Sequence, residues 1–370
     1  MDVATCTDWP QLAPAAIGVQ DASTSRRTGP WFRLGDANLR VDADGCSFLD
    51  EFETRYRDCI VAQPSPGLPG LRCSATRLPG SSLLCLSFDG LEVPDPLRAT
   101  GTPFRMLRHL ASYAETQGPY AGWRMLVHRD DPRRFLLAGD KRRLVVDLDL
   151  APPEFAIDCL VAVVQSLQPE VLFLHGASFG IAGAGALLIG CGKAGKSTTA
   201  LELVARGHAF LGDDVAAIRI RSREVLPFRK AVSVRPDPCM QSLDVRLRSV
   251  RHTVVGGDKG TLRTLVSIGD LFPGSTGSEL PLRFAFVLDG FAESAALTPF
   301  EPSIAENRSL KAVVSESIPS WGLSAGRDLM KFLIVVDLLA HIKCYRIKLG
   351  SPEDSAAAIE GLMETTCGST

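Results

Sequence analysis

The sequence predicts an α/β protein, with a phosphate-loop core in its C-terminal half and a smaller α+β unit before it. Three observations carry that reading. "GALLIG", "CGKAGKS" and "TTALELVARG" follow one another as a short apolar strand, a glycine-rich turn and a helix closed by Gly207. Further apolar runs of strand length recur through the second half. Between "WFRLGDANLRV" and "RRLVVDLDL", short β-type runs alternate with turns.

Taken in order, residues 1–28 are rich in small and polar side chains and read as a flexible N-terminal arm. Residues 29–150 form the small α+β unit. Its one amphipathic helix is expected at "PFRMLRHLASYAET", and "WRMLVHR", "RFLLAG" and "RRLVVDLDL" read as a meander. "PPEFAIDCLVAVVQSLQ" begins on proline and keeps helical apolar spacing, so it leads into the second unit, residues 151–370. There "VLFLHGASF", "AFLGDDVAAIRI", "EVLPF", "KAVSVRP", "LRFAFVLDG" and "CYRIKLG" supply strands, and "SPEDSAAAIEGLMET" a capped final helix. The stretch 244–280 mixes Gly, Ser and Thr with Arg246, Arg248, Arg251, Lys259 and Arg263, and reads as a mobile basic loop. Such a loop is either a solvated surface or a device that steers an acidic acceptor.

A chain of 370 residues is long enough for a large core with a companion unit. Its 40 basic and 42 acidic side chains leave a formal net charge of −2, which gives no electrostatic footprint for nucleic acid. A small molecule or peptide is the expected partner. Ten cysteines without a C-x-x-C pair argue against zinc and against a disulfide framework. No secretory leader and no apolar run of about 18 residues are visible, so no membrane partner and a cytoplasmic location are expected.

Gly190-Cys191-Gly192-Lys193-Ala194-Gly195-Lys196-Ser197 matches G-x-x-x-x-G-K-[ST] between strand and helix. Glycines let consecutive N–H groups point inward, the helix aims its positive end at the same point, and Lys196 adds a mobile cation. Ser197 can offer its hydroxyl to Mg²⁺. Thr198, next in line, closes the candidate nucleotide-binding segment on the helix surface. Phosphoryl transfer also needs a carboxylate for the metal and an acceptor for the proton of the attacking hydroxyl. Asp213 and Asp214 offer both, although neighbours on a strand face opposite ways unless the strand has already ended. His175, at the end of an apolar strand and before Gly176, lies within reach of the same pocket. His208 reads as structural.

Together "LHGASF", "GCGKAGKS" and "ALELVARGHAFLGDDVAAI" resemble the core of the HPr kinase/phosphorylase family, over about half of the chain once the weaker C-terminal likeness is included. The resemblance implies a fold of the HPr kinase/PEP carboxykinase type and transfer of the γ-phosphate of ATP, with Mg²⁺, to a serine hydroxyl. It further implies that Lys196 binds phosphate, Ser197 binds the metal, Asp213 helps to orient water or metal, Asp214 accepts the proton, and His175 lies beside the transferring phosphate. Related kinases being oligomers, a homo-oligomer is implied too.

The chain departs from the family where Thr198 replaces an acidic residue after the loop serine. It departs again where "PFRK" replaces the E-x-R-G signature, putting Pro227 in the place of the glutamate. These departures leave open the phosphate-removing reverse reaction and HPr itself as acceptor. What remains is similar to the HPr-kinase-related proteins of peptide natural-product pathways, lasso-peptide kinases included, which implies a peptide or small-protein acceptor. Arg229, Lys230 and Arg235 are candidates to restore charge around the phosphates. A small-molecule hydroxyl kinase and a regulatory nucleotide-binding module without turnover are the alternative readings.

Overall fold

The computed structural model describes residues 26–89, 112–118, 120, 122–131, 133–234, 246–256, 262–302 and 325–368. The chain is a mixed α/β protein with two large sheets. The first is built from β1 (Arg27–Leu34), β2 (Ala37–Asp44), β3 (Ile60–Val61), β4 (Gly70–Arg77), β5 (Leu83–Asp89), β6 (Tyr113–Gln117), β7 (Arg124–His128), β8 (Phe135–Gly139) and β9 (Arg143–Asp147). Its order is β3-β1-β2-β4-β5-β9-β8-β7-β6. β7, β8 and β9 form the expected antiparallel meander.

Three expectations change in this unit. β1 begins at Arg27, inside the expected arm, and Arg26 already pairs with Asp42; residues 1–25 lie outside the described residues. The C-terminal part of the expected helix is strand: Tyr113–Gln117 pairs antiparallel with β7, so cross-strand pairing overrides the helical apolar spacing. Residues 103–111 of that stretch lie outside the described residues. A helix does form earlier, α1 (Phe48–Tyr56), which buries Phe48, Leu49, Phe52 and Tyr56 against the first sheet.

α2 (Pro153–Ser166) starts at its proline and is buried on nearly all sides, which explains its almost unbroken apolar composition. It shares one apolar cluster with β1, β2 and α1 of the first unit and with Val171, Phe173, Ala217, Leu226 and Phe228 of the second. Packing is therefore continuous across residue 151. Gln168 ties the same seam, donating to the Leu34 carbonyl and accepting from the Asp36 amide.

The second sheet holds β10 (Val171–Leu174), β11 (Ala177–Ile181), β12 (Ala184–Ile189), β13 (Ala209–Gly212), β14 (Ala216–Arg219), β15 (Glu224–Leu226) and β19 (Leu280–Phe291) in the order β10-β14-β15-β19-β12-β11-β13. β20 (Ala296–Pro299) and β21 (Lys343–Leu349) extend it beside β19. Alternation sorts its side chains onto two covered faces. Leu187, Ile189, Ala285 and Val287 pack with Val335, Leu338 and Leu339 of α5 (Ala325–Ala340). Ala186, Leu188, Phe284 and Phe286 pack with α3 (Lys196–Ala205) and α6 (Pro352–Gly368).

The stretch expected as a mobile loop is largely ordered structure, where it is described. β16 (Val232–Val234), β17 (His252–Gly256) and β18 (Leu262–Val266) form a three-stranded sheet, followed by the short helix α4 (Ile268–Leu271). Leu247, Val266, Ile268, Leu271 and Phe272 pack on Leu201 and Val204 of α3, and that burial is what fixes the segment. The Arg246 guanidinium lies over the Phe272 ring at 5.0 Å. Lys259 lies outside the described residues. Among the described residues, no helix is long and apolar enough to cross a membrane.

Candidate active site

The site forms where β12 ends. The chain leaves the strand at Gly190, turns through left-handed backbone at Lys193 (φ 66°) and Gly195 (φ 97°), and enters α3 at Lys196. Glycine is needed at 195 twice over, because a Cβ there would also lie 2.6 Å from Leu349 Cδ1. Lys196 is buried, and its ammonium donates to the carbonyls of Gly190 at 2.7 Å and Cys191 at 3.0 Å. Cys191, Gly192 and Lys193 are exposed, and Thr198 lies half-buried on the helix.

The paired aspartates stand after β13, which ends at Gly212. Asp214 then takes φ 68°, a conformation that aspartate tolerates better than most side chains. The strand has ended, so the two carboxylates need not face opposite ways. Ser197 Oγ donates to Asp213 Oδ1 at 3.0 Å, while Asp214 Oδ1 lies 3.1 Å from His175 Nδ1. Gly212 keeps the turn tight, since a Cβ there would lie 2.7 Å from the Val215 carbonyl and 2.9 Å from that of Phe228. His175 sits between β10 and β11, with Nδ1 also 2.9 Å from the Asp214 carbonyl, so this nitrogen carries the proton.

Electrostatics separate the two neighbours. Burial, reinforced by the charge of Asp214, pushes the Asp213 carboxyl up to about 6. Lys230 holds Asp214 well below the usual carboxylate range, with His175 adding to it. The hydrogen bond that His175 donates to Asp214 raises His175 in turn. Ser197 and Asp213 thus present adjacent oxygens to a divalent cation, which would relieve the repulsion between the aspartates. Among the described residues no group of three or more His, Cys, Asp or Glu forms a metal cage. The pair fits a cation that brings phosphate and water ligands of its own.

Comparison with known proteins follows the same segment. A family model described as the HPr Serine kinase C-terminal domain matches residues 166–236. The HPr kinase/phosphorylase of Bacillus pumilus is 47% identical over 105 residues, 28% of this chain and 32% of that protein. This chain is related to the HPr kinases. The Bacillus licheniformis HPr kinase/phosphorylase is 45% identical over 109 residues, covering 30% and 34% of the two chains, and that of Aromatoleum aromaticum 29% over 134 residues, covering 36% and 43%. The chain spans between 31% and 43% of the length of the first curated relatives it matches. A solved structure, the Hpr(Ser) kinase/phosphatase from Coxiella burnetii, aligns with 13% identity and a TM-score of 0.26 over 52% of this chain and 95% of that one.

Every residue from Gly190 to Thr198, with His175, Asp213 and Asp214, lies in the HPr-kinase-related segment. Of the two described basic candidates beyond β15, Lys230 is found at the aspartates, 3.1 Å from Asp214 Oδ2. Arg229 turns away to the carbonyls of Asp58 and Gly277, and Arg235 lies outside the described residues. His208 bonds Glu360 at 2.8 Å, away from the loop. Asp158 of α2 was not expected in this neighbourhood, yet it lies 3.7 Å from the Lys230 ammonium. Its sequence signal is a carboxylate inside an otherwise apolar helix, which implies a buried partner.

Proposed function

We propose that the protein is an ATP- and Mg²⁺-dependent kinase that transfers the γ-phosphate to a hydroxyl, of the serine type, on a peptide or small protein. The observation that carries this reading is the convergence of Lys196, the Ser197–Asp213 pair and the His175–Asp214 pair beyond the ends of β12, β13 and β10. The relatives are HPr kinase/phosphorylases, which supports a phosphoryl-transfer class for the matching segment. The metal, bound with the nucleotide, would neutralise charge on the phosphates.

In this reading the chain's own groups divide the work. Loop N–H groups and Lys196 bind the phosphates, with phosphate oxygens exchanging for the Gly190 and Cys191 carbonyls that now accept from the ammonium. Ser197 and Asp213 orient the metal. Asp214, the more readily ionised carboxylate, accepts the acceptor's hydroxyl proton, and His175 holds it in place. Residues 29–150 form the smaller unit and 151–370 the kinase core in this proposal, with a cytoplasmic location and a homo-oligomeric state as its further parts. Neither the fold nor the relatives support a lasso-type precursor over any other acceptor.

The test is calorimetric titration with ATP, with and without Mg²⁺, followed by label transfer from γ-labelled ATP into an array of serine-containing peptides. Mg²⁺-dependent binding and labelled serine are expected. Tight binding without any movement of label would identify a regulatory module instead.

A further inference from the structure

Lys230 does not belong to any motif in the sequence. It stands where the E-x-R-G signature would place its final glycine. The side chain is mostly buried, and its ammonium lies 3.1 Å from Asp214 Oδ2 and 3.7 Å from Asp158 Oδ1. Backbone contacts explain its position: Phe228 N donates to the Leu211 carbonyl, so the segment after β15 runs along the end of β13. Ala231 N donates to the Arg55 carbonyl, which pins the other side of Lys230 to the end of α1. Tyr56 of α1, fully buried, packs its ring edge-on against Phe228 at 6.2 Å. The ammonium is held by two carboxylates, while the backbone on either side of it is tied to β13 and to the end of α1.

Asp214 needs such a holder. Its backbone is left-handed, its side chain is half-exposed, and Asp213 repels it from the next position. A carboxylate contacted only by His175 would be free to rotate about χ1, whereas one contacted on both oxygens keeps a single orientation. We propose that Lys230, tethered by Asp158, is a positioning residue that fixes the Asp214 carboxylate against His175, so that α1 and α2 form part of the catalytic assembly. The inference rests on the kinase reading above for its consequence in turnover, and on geometry alone for the contact. Burial opposes the charge on Lys230, but Asp158 and Asp214 together outweigh it, so the ammonium stays protonated. Both of its carboxylate partners are on the protein, which separates its role from that of Lys196 on the phosphates.

The test uses the full chain and four variants: Lys230→Met, Lys230→Arg, Asp158→Asn and the double variant Lys230→Met/Asp158→Asn. The double variant matters because Lys230→Met alone strands a buried carboxylate and lowers stability. Circular-dichroism melts select the variants that fold. Lys230→Met is expected to lower turnover of γ-labelled MgATP by roughly 10–100-fold, the range for groups that orient a reacting ligand from behind, with MgATP affinity little changed. Lys230→Arg should recover part of the loss. The double variant should be no worse than Lys230→Met, since Asp158 acts through Lys230. The ¹⁵N signals of the His175 ring should shift in Lys230→Met, although Lys230 does not bond that ring.

Near wild-type turnover in both methionine variants overturns the proposal. So does a loss of MgATP affinity that matches the loss of turnover, which would make Lys230 a nucleotide ligand. If the wild-type chain turns over no MgATP, the kinase reading fails and the His175 signals decide alone. Shifted signals then support the contact, and unshifted signals overturn it.

Discussion

Asp213 and Asp214 are adjacent in sequence and opposite in electrostatics. The Asp213 carboxyl, buried and beside a charged neighbour, holds its proton up to about pH 6, against about 3.9 for an unperturbed aspartate. The sign of the linkage follows. Folding favours the protonated form, so Asp213 contributes stability below about pH 4 and loses that contribution as pH rises through about 6. Above that range the ligand-free fold must carry an unfavourable charge. Asp213→Asn keeps an acceptor for Ser197 Oγ and removes the charge. We expect it to raise the melting temperature of the ligand-free chain by a few degrees at pH 8, with the gain vanishing towards pH 4. A thermal melt at several pH values checks this; equal gains at all pH values would contradict the assignment. At this scale the motif residues were legible because loop glycines, Lys196 and the aspartates have fixed spacing. Asp158 was not, because its partner lies 72 positions away and only folding brings the two together.

Among the elements, the strand–loop–helix unit from Ala184 to Ala205 was the most legible, since glycine pattern and apolar periodicity agree there. The exposed Cys191 inside that loop gives a local probe. MgATP is expected to slow maleimide labelling of Cys191, followed by peptide mass spectrometry, while labelling of the half-buried Cys367 in α6 continues unchanged. Equal labelling with and without MgATP would mean that the loop does not enclose phosphate. Other elements were misread for identifiable reasons. β17 and β18 are short runs of Val and Leu broken by Thr, Arg and Gly, and become structure through their own pairing and through burial of Val266 against α3. Tyr113–Gln117 carries mixed polarity, and its partner β7 decides its state.

For the whole molecule, the first sheet is joined to the site by more than a linker. Asp58, just after α1, accepts from Ser267 Oγ at 2.6 Å and from the Ile268 amide at 2.7 Å at the start of α4, while Arg219 of β14 reaches Asp36 at 2.8 Å. Length and sequence pattern lead to an expectation of two units, but side-chain bonds of this span cannot be read from them. The continuous core through α2 joins the first sheet to β10, β14 and β15, and so backs the turn that carries the aspartates. The central claim is that this support holds a phosphoryl-transfer centre. It is tested most directly by following loss of label from γ-labelled MgATP, to water or to a serine peptide, with the wild-type chain and Lys196→Ala side by side. Removing the ammonium withdraws the cation from the terminal phosphate as charge moves, so the variant should lose about 10²–10³-fold or more in turnover. Equal loss of label in the two proteins would contradict the account.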